Sequence, residues 1–230
     1  MKRSPCMNRP SVLSDAFSAL ALHDGDAPTR PSIERFIQER FAAVHEARVR
    51  DFLPTLVSTH TANRELLAAA GFQKASDGTL FLESYLKRPV ENCVSTVAGT
   101  PVSRRQIVEI GNLATARTGS TRKLIILLAF YFAHLELDWA VLTLTPTLIN
   151  SFTRLGIELH TLAKAEASKL YHSGSDWGRY YDCKPMVVAA NIPLSTEHLM
   201  QRGQCSTLLP TPVTTIPSAG KKHHDPLFFH

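Results

Sequence analysis

Apolar and polar positions are most regularly ordered between residues 105 and 165. Short apolar runs of strand length alternate there with longer runs of helix length, and turn residues separate them. The pattern predicts a strand at 106–110, a polar loop at 115–121, a helix from 122 to about 137, a strand at 138–145, a helix that begins at Pro146 and a strand at 158–164. We expect the rest of the chain to be arranged around the first of these loops.

The pattern is weaker on either side of this stretch. It predicts a helix at 34–49, strands at 56–59 and 186–192, a short helix or loop from 89 to about 98 and a helix at 165–171. The apolar run at 65–72 fits helix or strand, and the turn before it favours the second strand of a hairpin. Composition predicts a flexible lead-in at 1–31, one domain at 32–198 and a disordered tail at 199–230.

Composition narrows the class of protein. The 230 residues are 44% hydrophobic and 20% charged, which suits a folded core. The formal net charge is +5, but the basic residues are spread along the chain. The charge therefore indicates anionic ligands or a membrane surface rather than nucleic acid. The four cysteines are far apart and lack the spacing of a zinc site, so we expect free thiols and no metal.

The chain shows neither an export signal nor a membrane span in its pattern. Three aspartates between residues 15 and 26 interrupt the apolar residues near the N-terminus. The most apolar run, 124–144, carries His134, Glu136 and Asp138 in its second half. Placing such charges in a bilayer would cost roughly several kcal/mol each. The sequence therefore predicts a cytoplasmic protein and leaves peripheral contact with a membrane open.

The loop at 115–121 has the residue types of an anion-binding turn. Gly119 can adopt backbone angles that other residues avoid, and Ser120 and Thr121 are residue types that begin helices. The first turn of the next helix has free N–H groups and a positive dipole end, and Arg117 and Arg122 add charge that suits phosphate. An ordinary strand-to-helix turn explains the pattern equally well, because one glycine is weaker than a full glycine fingerprint.

Three polar residues stand in apolar surroundings and are candidates for catalysis. Glu109 lies in a predicted strand, where burial would raise its pKa towards the range of a general base. The alternative for Glu109 is a salt-bridged residue on a solvated face. Glu83 could line an acceptor pocket or be a paired structural residue. Asn112, next to Gly111, could orient a substrate or complete a β-bulge, and we favour the bulge.

An ordered set of motifs carries a family resemblance. The motifs are LFLESYL at 80–86 with PVE at 89–91, VEIGNLA at 108–114, DW at 138–139 with TLT at 143–145, FTRLG at 152–156 and WGRYYD at 177–182. Together they resemble the bacterial family named thermostable hemolysin, over about residues 32–194. The strand, loop and helix end within them are similar to the core of the acyl-CoA N-acyltransferase (GNAT) superfamily. Acyl-homoserine-lactone synthases, a branch of that superfamily, place a similar glutamate in the same strand.

The resemblance implies a GNAT-like α/β fold. This is a twisted, mixed, mostly antiparallel sheet, splayed between two parallel central strands, with helices on both faces. An acyl-CoA or acyl-carrier-protein (acyl-ACP) thioester would enter the splay as co-substrate, with no tightly bound cofactor. Its pyrophosphate would lie on the loop residues named above. Leu113 and Ala114 would offer backbone groups to the pantetheine and the acyl carbonyl.

Two positions depart from the superfamily pattern. The loop has only one glycine where typical members have Q/R-x-x-G-x-G/A, and Phe152 stands where many members have a tyrosine that protonates the departing thiolate. Candidate substrate-pocket residues are Tyr85, Phe152, Arg154, Trp177, Tyr180 and Tyr181. Aromatic residues in such a group more often form a core or lid cluster. Arg154 could also pair with Glu109 or Glu158.

Three functions of different class follow from the resemblance. The first is transfer of an acyl group from acyl-CoA or acyl-ACP to a small-molecule amine, with Glu109 as the base and strand N–H groups near the oxyanion. The second is membrane lysis, direct or through a lipid product, as the family name says, although the sequence has no long amphipathic hairpin or cationic amphipathic helix. The third is a non-catalytic protein that binds an acyl carrier.

Overall fold

A single sheet with helices on both faces makes up the described part of the chain. The computed structural model describes residues 20–117, 119–170 and 176–204. The strands within these ranges are β1 (Ala21–His23), β2 (Thr55–His60), β3 (Leu66–Lys74), β4 (Ile107–Thr115), β5 (Trp139–Leu144), β6 (His160–Lys164) and β7 (Met186–Asn191). The α-helices are α1 (Arg30–His45), α2 (Val90–Ala98), α3 (Ser120–His134), α4 (Pro146–Leu155) and α5 (Ile192–Gln201).

The strands are ordered β1-β2-β3-β4-β5-β7-β6 in the sheet. Neighbours are antiparallel except for β4 and β5, which are parallel. A parallel connection needs a crossover, and α3 supplies it. This confirms the predicted mixed, mostly antiparallel sheet with two parallel central strands. It also confirms the predicted hairpin, because β2 and β3 pair antiparallel.

The alternation of side chains along β4 assigns its residues to the two faces of the sheet. Val108 and Ile110 belong to the largest core cluster, which α3 and α5 cover. Ile107 packs in a second cluster with Val90 and Val94 of α2. Glu109 therefore lies on the α2 face together with Ile107, as the sequence predicts. A third cluster, on this same side of the sheet, joins α1 to β2 and β3.

Local sequence accounts for the bounds of several helices. α3 is apolar on almost every side, because it is covered by the sheet and by α5. α4 begins at Pro146, which suits the first helical position, and it ends at Gly156 with a φ of 81°. Its bounds are those that the sequence predicts.

Four expectations about the elements need correction. The lead-in predicted at 1–31 is too long, because β1 and the start of α1 fall inside it. The strand predicted at 106–110 is longer, because β4 continues to Thr115, the first residue of the predicted loop. The helix predicted at 165–171 is only a turn at Ala167–Lys169, and residue 171 lies outside the described residues. The predicted tail at 199–230 begins inside α5, and residues from 205 onwards also lie outside the described residues.

The apolar run at 124–144 does not form one long helix. In the described ranges, none of the helices has both the length and the apolar character needed to cross a bilayer. The run is divided between α3 and β5.

Candidate active site

β4 and β5 separate halfway along their length. They pair in parallel from Ile107 and Trp139 as far as Ile110 and Leu142. Beyond that point β4 remains paired with β3, and β5 remains paired with β7. The two central strands therefore diverge and leave an opening between them, which is the splay that the fold resemblance implies.

A β-bulge at Asn112 bends β4 at the opening. Asn112 and Leu113 together oppose the single residue Ala70 of β3. Asn112 has a φ of 51°, an angle that asparagine tolerates better than most residues. Its Oδ1 accepts from the N–H of Leu53 at 2.9 Å, and its Nδ2 donates to the carbonyl of Asp51 at 3.2 Å. The favoured bulge is therefore present, and the side chain holds the 51–53 segment.

The bulge also changes which face the next residues take. Ala114 is buried in the cluster that contains α1, whereas strict alternation would have placed it with Ile110. Leu113 lies at the opening between the central strands. Leu113 thus lines the opening, whereas the Ala114 side chain packs against α1; their predicted backbone contacts with a pantetheine stay a prediction.

A cavity of about 410 Å³ occupies the opening. Its walls come from the ends of β4 and β5, from the 51–54 segment, and from aromatic residues of α1, the 79–85 segment and the 177–181 segment. The volume is in the range of small-molecule sites. Across the described residues, the lining includes two carboxylates, Glu109 and Asp51, and neither lysine nor arginine.

Glu109 lies in this cavity and is almost fully buried, with 3% of its surface exposed. Its Oε2 accepts from the N–H of Phe81 at 2.8 Å, and its Oε1 accepts from the N–H of Leu82 at 3.0 Å. Burial raises the pKa of Glu109 to about 7, and the two N–H groups only partly oppose that increase. A carboxyl group with such a pKa can accept a proton near neutral pH. The solvated, salt-bridged alternative for Glu109 is wrong.

Glu83 lies outside this cavity, in an ion pair. Both of its oxygens accept from the guanidinium of Arg104, at 2.8 and 2.9 Å, and they also accept from the N–H groups of Leu80 and Val90. Burial opposes ionisation of Glu83, but these hydrogen bonds outweigh it and lower its pKa to about 2. The prediction of an acceptor-pocket role therefore gives way to its alternative, a paired structural residue.

The position of Glu83 still matters to the cavity. Glu83 belongs to the short helical segment Phe81–Tyr85, whose backbone N–H groups bind Glu109. The Arg104 side chain ties this segment to the carbonyls of Ala75 and Gly78 as well. The ion pair thus fixes the segment that positions Glu109.

Four of the predicted pocket residues form one wall of the cavity: Tyr85, Trp177, Tyr180 and Tyr181. The hydroxyl groups of Tyr85 and Tyr181 are 2.6 Å apart, and burial raises the pKa of both. Ring centroids of neighbouring members lie 5.3 to 6.5 Å apart. Sequence analysis missed three further rings of this aromatic wall, Phe41, His45 and Phe81.

The segment that carries Trp177 is fixed to the end of α1. The N–H of Arg179 donates to the carbonyl of His45 at 2.7 Å, and Arg48 and Asp176 exchange backbone hydrogen bonds. Gly178 has a φ of 47°, and a Cβ there would lie 2.4 Å from the carbonyl oxygen of His45. The glycine is therefore required by close backbone approach as well as by its angle.

Replacing Gly178 with alanine is expected to destabilise the fold and displace the aromatic wall. Gly99→Ala is the matched control, because Gly99 also has a positive φ, of 70°, but has open space where a Cβ would lie. The control should cost about 1–2 kcal/mol of unfolding free energy, and Gly178→Ala clearly more. Urea denaturation of the two variants measures the difference. Equal losses would show that the contact with His45 is unimportant.

The predicted phosphate loop lies beyond the cavity, at the start of α3. Gly119 precedes the helix with a φ of 95°, and none of the described side chains caps the first turn. Thr121 Oγ1 is 3.3 Å from Thr115 Oγ1, and the Arg122 side chain contacts Gln204. The exposed Arg117 guanidinium is 3.6 Å from the carboxylate of Glu65. Such exposed pairs are weak, so this one leaves Arg117 accessible to a stronger anion.

Phe152 and Arg154 are not brought to the cavity. Phe152 is buried on the other face of the sheet, where it lines a small apolar cavity of about 30 Å³ with residues of α3 and α5. Arg154 is exposed on α4, and neither predicted pair, with Glu109 or with Glu158, occurs among the ion pairs of the described residues. The rotation of α4, which buries Phe152 and Leu155, directs Arg154 to solvent.

The fold and the opening between β4 and β5 define a GNAT-like α/β protein. Solved structures with this fold include BjaI, a CoA-dependent acyl-homoserine lactone synthase solved with SAM and isopentyl-CoA (TM-score 0.53, 11% identity, 80% of this chain and 88% of that chain covered). They also include FeeM, an N-acyl amino acid synthase from uncultured soil microbes (0.52, 12%, 80% and 99%), and TofI in an apo form (0.50, 11%, 79% and 95%). At these identities the likeness shows the fold alone.

The chain belongs to the thermostable hemolysin family, whose family model matches residues 23–196. This confirms the predicted resemblance. A search of curated proteins found no match to this sequence. Among the described residues, no group of three or more His, Cys, Asp or Glu side chains is placed to hold a metal ion.

Proposed function

We propose that the protein is an N-acyltransferase that moves an acyl group from an acyl thioester to an amine. The position of Glu109 is the main support for this proposal. Its buried carboxylate lies inside a cavity of about 410 Å³, at the point where the two parallel central strands separate. The opening gives a thioester access to unpaired strand edges, and the carboxylate gives the amine a base. The names of BjaI and FeeM support the proposal, because each describes formation of an acyl product on this fold.

The reaction balances with one base. The ionised Glu109 accepts a proton from the ammonium form of the acceptor, and the neutral amine attacks the thioester carbonyl carbon. The tetrahedral intermediate then breaks its C–S bond and releases a thiolate. That thiolate takes up the second nitrogen proton, so the products are an amide and a thiol, and Glu109 later returns its proton to solvent. Backbone N–H groups at the open edge of β4 would stabilise the oxyanion.

The donor is proposed to extend from the cavity to the start of α3. The uncapped first turn of α3 presents N–H groups, and Arg117 and Arg122 lie beside it. This arrangement suits the phosphates of CoA or the phosphopantetheine of an acyl-ACP. Phe152 cannot protonate the thiolate, which in this scheme takes up the proton that the acceptor nitrogen loses.

A melting curve with CoA, acetyl-CoA and a long-chain acyl-CoA tests donor binding. Ligand at about a hundred times its dissociation constant should add about 2.7 kcal/mol of stability. The shift should largely disappear in Arg117→Ala/Arg122→Ala. The matched control is Arg35→Ala/Arg88→Ala, which removes the same charge from exposed positions outside the cavity lining. Equal shifts in both double variants would remove the loop from the proposed donor site.

Acyl transfer itself is measured as thiol release that depends on an added amine. Absence of release with every CoA donor and with acyl-ACP would contradict the proposal. The family's name makes membrane lysis the second candidate, so leakage from dye-loaded vesicles is the parallel assay. Leakage that is unaffected by Glu109→Gln and needs no acyl donor would favour direct lysis. Leakage that depends on both would indicate a lipid product.

A further inference from the structure

The charges that line the cavity are of one sign. Glu109 is buried within it, and Asp51 lies at an exposed position of its rim. Neither lysine nor arginine lines the cavity in the described part of the chain. The undescribed residues that interrupt the chain, 118 and 171–175, contain neither residue type either. An anionic group that enters this cavity would lose its hydration without meeting a side-chain countercharge.

The aromatic wall adds a second, independent preference. Phe81, Trp177, Tyr181 and Tyr85 form a continuous set of rings, with Trp177 5.9 Å from Phe81 and 6.2 Å from Tyr181 between centroids. All four of these aromatic residues line the cavity. Aromatic rings attract an ammonium ion and also pack against an apolar body.

We propose that the acceptor is an amine without a carboxylate, namely a primary ammonium carried on an apolar or aromatic body. The inference rests on the proposed acyl transfer and names its acceptor class. The ammonium is held by Glu109, and the body lies against the aromatic wall. An α-amino acid would bring its carboxylate, two bonds from the reacting nitrogen, close to the Glu109 carboxylate, in a cavity that no described lysine or arginine lines. Repulsion and desolvation then exclude it.

Phenethylamine and phenylalanine are the matched probes, because they differ only by the carboxylate. Each is offered to the protein with the acyl-CoA that gives the largest melting shift, and amide is measured by mass spectrometry. The expected result is a preference for phenethylamine in kcat/KM of on the order of 100-fold or more. Equal or faster acylation of phenylalanine would overturn the inference and leave the proposed acyl transfer in place.

A charge reversal at the rim tests the electrostatic part of the argument. Asp51→Lys should lower the preference for phenethylamine by about tenfold, because it places a countercharge near the carboxylate of phenylalanine. Glu197→Lys is the matched control: it makes the same change in net charge on α5, away from the cavity, and should leave the preference unchanged. Melting curves confirm that both variants fold. An unchanged preference in Asp51→Lys would contradict the charge argument.

If neither probe is acylated, ligand binding tests whether the cavity prefers a cation to a carboxylate. Benzyltrimethylammonium cannot be acylated and tests the cation site directly. It should quench tryptophan fluorescence saturably, and phenylacetate should not. Trp177→Phe keeps an aromatic ring in the wall but should remove the quenching, which assigns the signal to Trp177 rather than Trp139. Tighter binding of phenylacetate would overturn the inference, whereas cation binding without turnover would support the ammonium site alone and count against the proposed transfer.

Discussion

Replacing Glu109 with glutamine is expected to lower kcat/KM for acyl transfer by about 10²–10⁴-fold, the usual contribution of a general base. Glutamine keeps the size of the side chain and one acceptor oxygen for the N–H groups of Phe81 and Leu82. It cannot take a proton from the acceptor ammonium. The loss is measured by following thiol release, in a stopped-flow or a steady-state assay, in the presence of a saturating amine.

The pH profile separates a base from a residue that only supports the cavity. Because burial raises the pKa of Glu109 to about 7, the wild-type kcat/KM should rise as the pH increases through about 7. The Glu109→Gln variant should lack this inflection at every amine concentration. Glu158→Gln, an exposed change of the same kind, should keep it. An inflection near 7 that survives in Glu109→Gln would assign the titration to another group.

The same carboxylate affects stability in the opposite sense. Its folded pKa of about 7 lies above the ordinary value of 4.5, so the folded state binds the proton more tightly than the unfolded state. The resulting stabilisation is complete below pH 4.5 and is lost as the pH rises to about 7. The loss is at most roughly 3 kcal/mol. A charged Glu109 therefore destabilises the neutral-pH fold, which is expected of a group kept for chemistry rather than for packing.

Local patterns predicted the parts of the site that depend on neighbouring residues. The alternation of side chains along β4 predicts that Glu109 lies on the face of the sheet opposite to that of Val108 and Ile110, and the structure has that arrangement. Asparagine beside glycine indicated the bulge at Asn112. The WGRYYD and LFLESYL motifs identified four of the wall residues. In each case the information lies within a few positions of the chain.

Tertiary contacts decided the rest. The guanidinium that neutralises Glu83 comes from Arg104, 21 residues away, and spacing does not reveal it. Phe41 and His45 reach the aromatic wall only because the segment around Gly178 is hydrogen-bonded to the end of α1. Phe152 and Arg154 lie away from the cavity, contrary to the prediction, because the rotation of a helix about its axis is set by packing, and a short amphipathic sequence permits more than one contact surface.

Replacing Arg104 with alanine is expected to cost about 2–3 kcal/mol of unfolding free energy. The change leaves the Glu83 carboxylate without a countercharge and removes donors from the carbonyls of Ala75 and Gly78. The cost is placed below that of a fully buried pair, since the Arg104 side chain is 28% exposed. Arg104→Lys should recover only part of it, because lysine cannot make the paired hydrogen bonds of the guanidinium.

Glu91→Gln is the matched control for Arg104→Ala. Glu91 makes one hydrogen bond to the same guanidinium at 2.8 Å and is half-buried, so its loss should cost less than about 1 kcal/mol. The two variants should also differ in acid. The low pKa of Glu83 gives stability that is complete above pH 4.5 and is lost as the pH falls towards 2, and Arg104→Ala should weaken that dependence.

The same substitution distinguishes positioning from simple stabilisation. Arg104 holds the Phe81–Tyr85 segment, whose N–H groups lower the pKa of Glu109 against the effect of burial. Loosening the segment weakens those hydrogen bonds, so the pH inflection of kcat/KM should move upwards from about 7, in the folded fraction of Arg104→Ala. A merely destabilised protein would lose amplitude without such a shift. An unchanged inflection would mean that the ion pair supports the fold but does not set the basicity of Glu109.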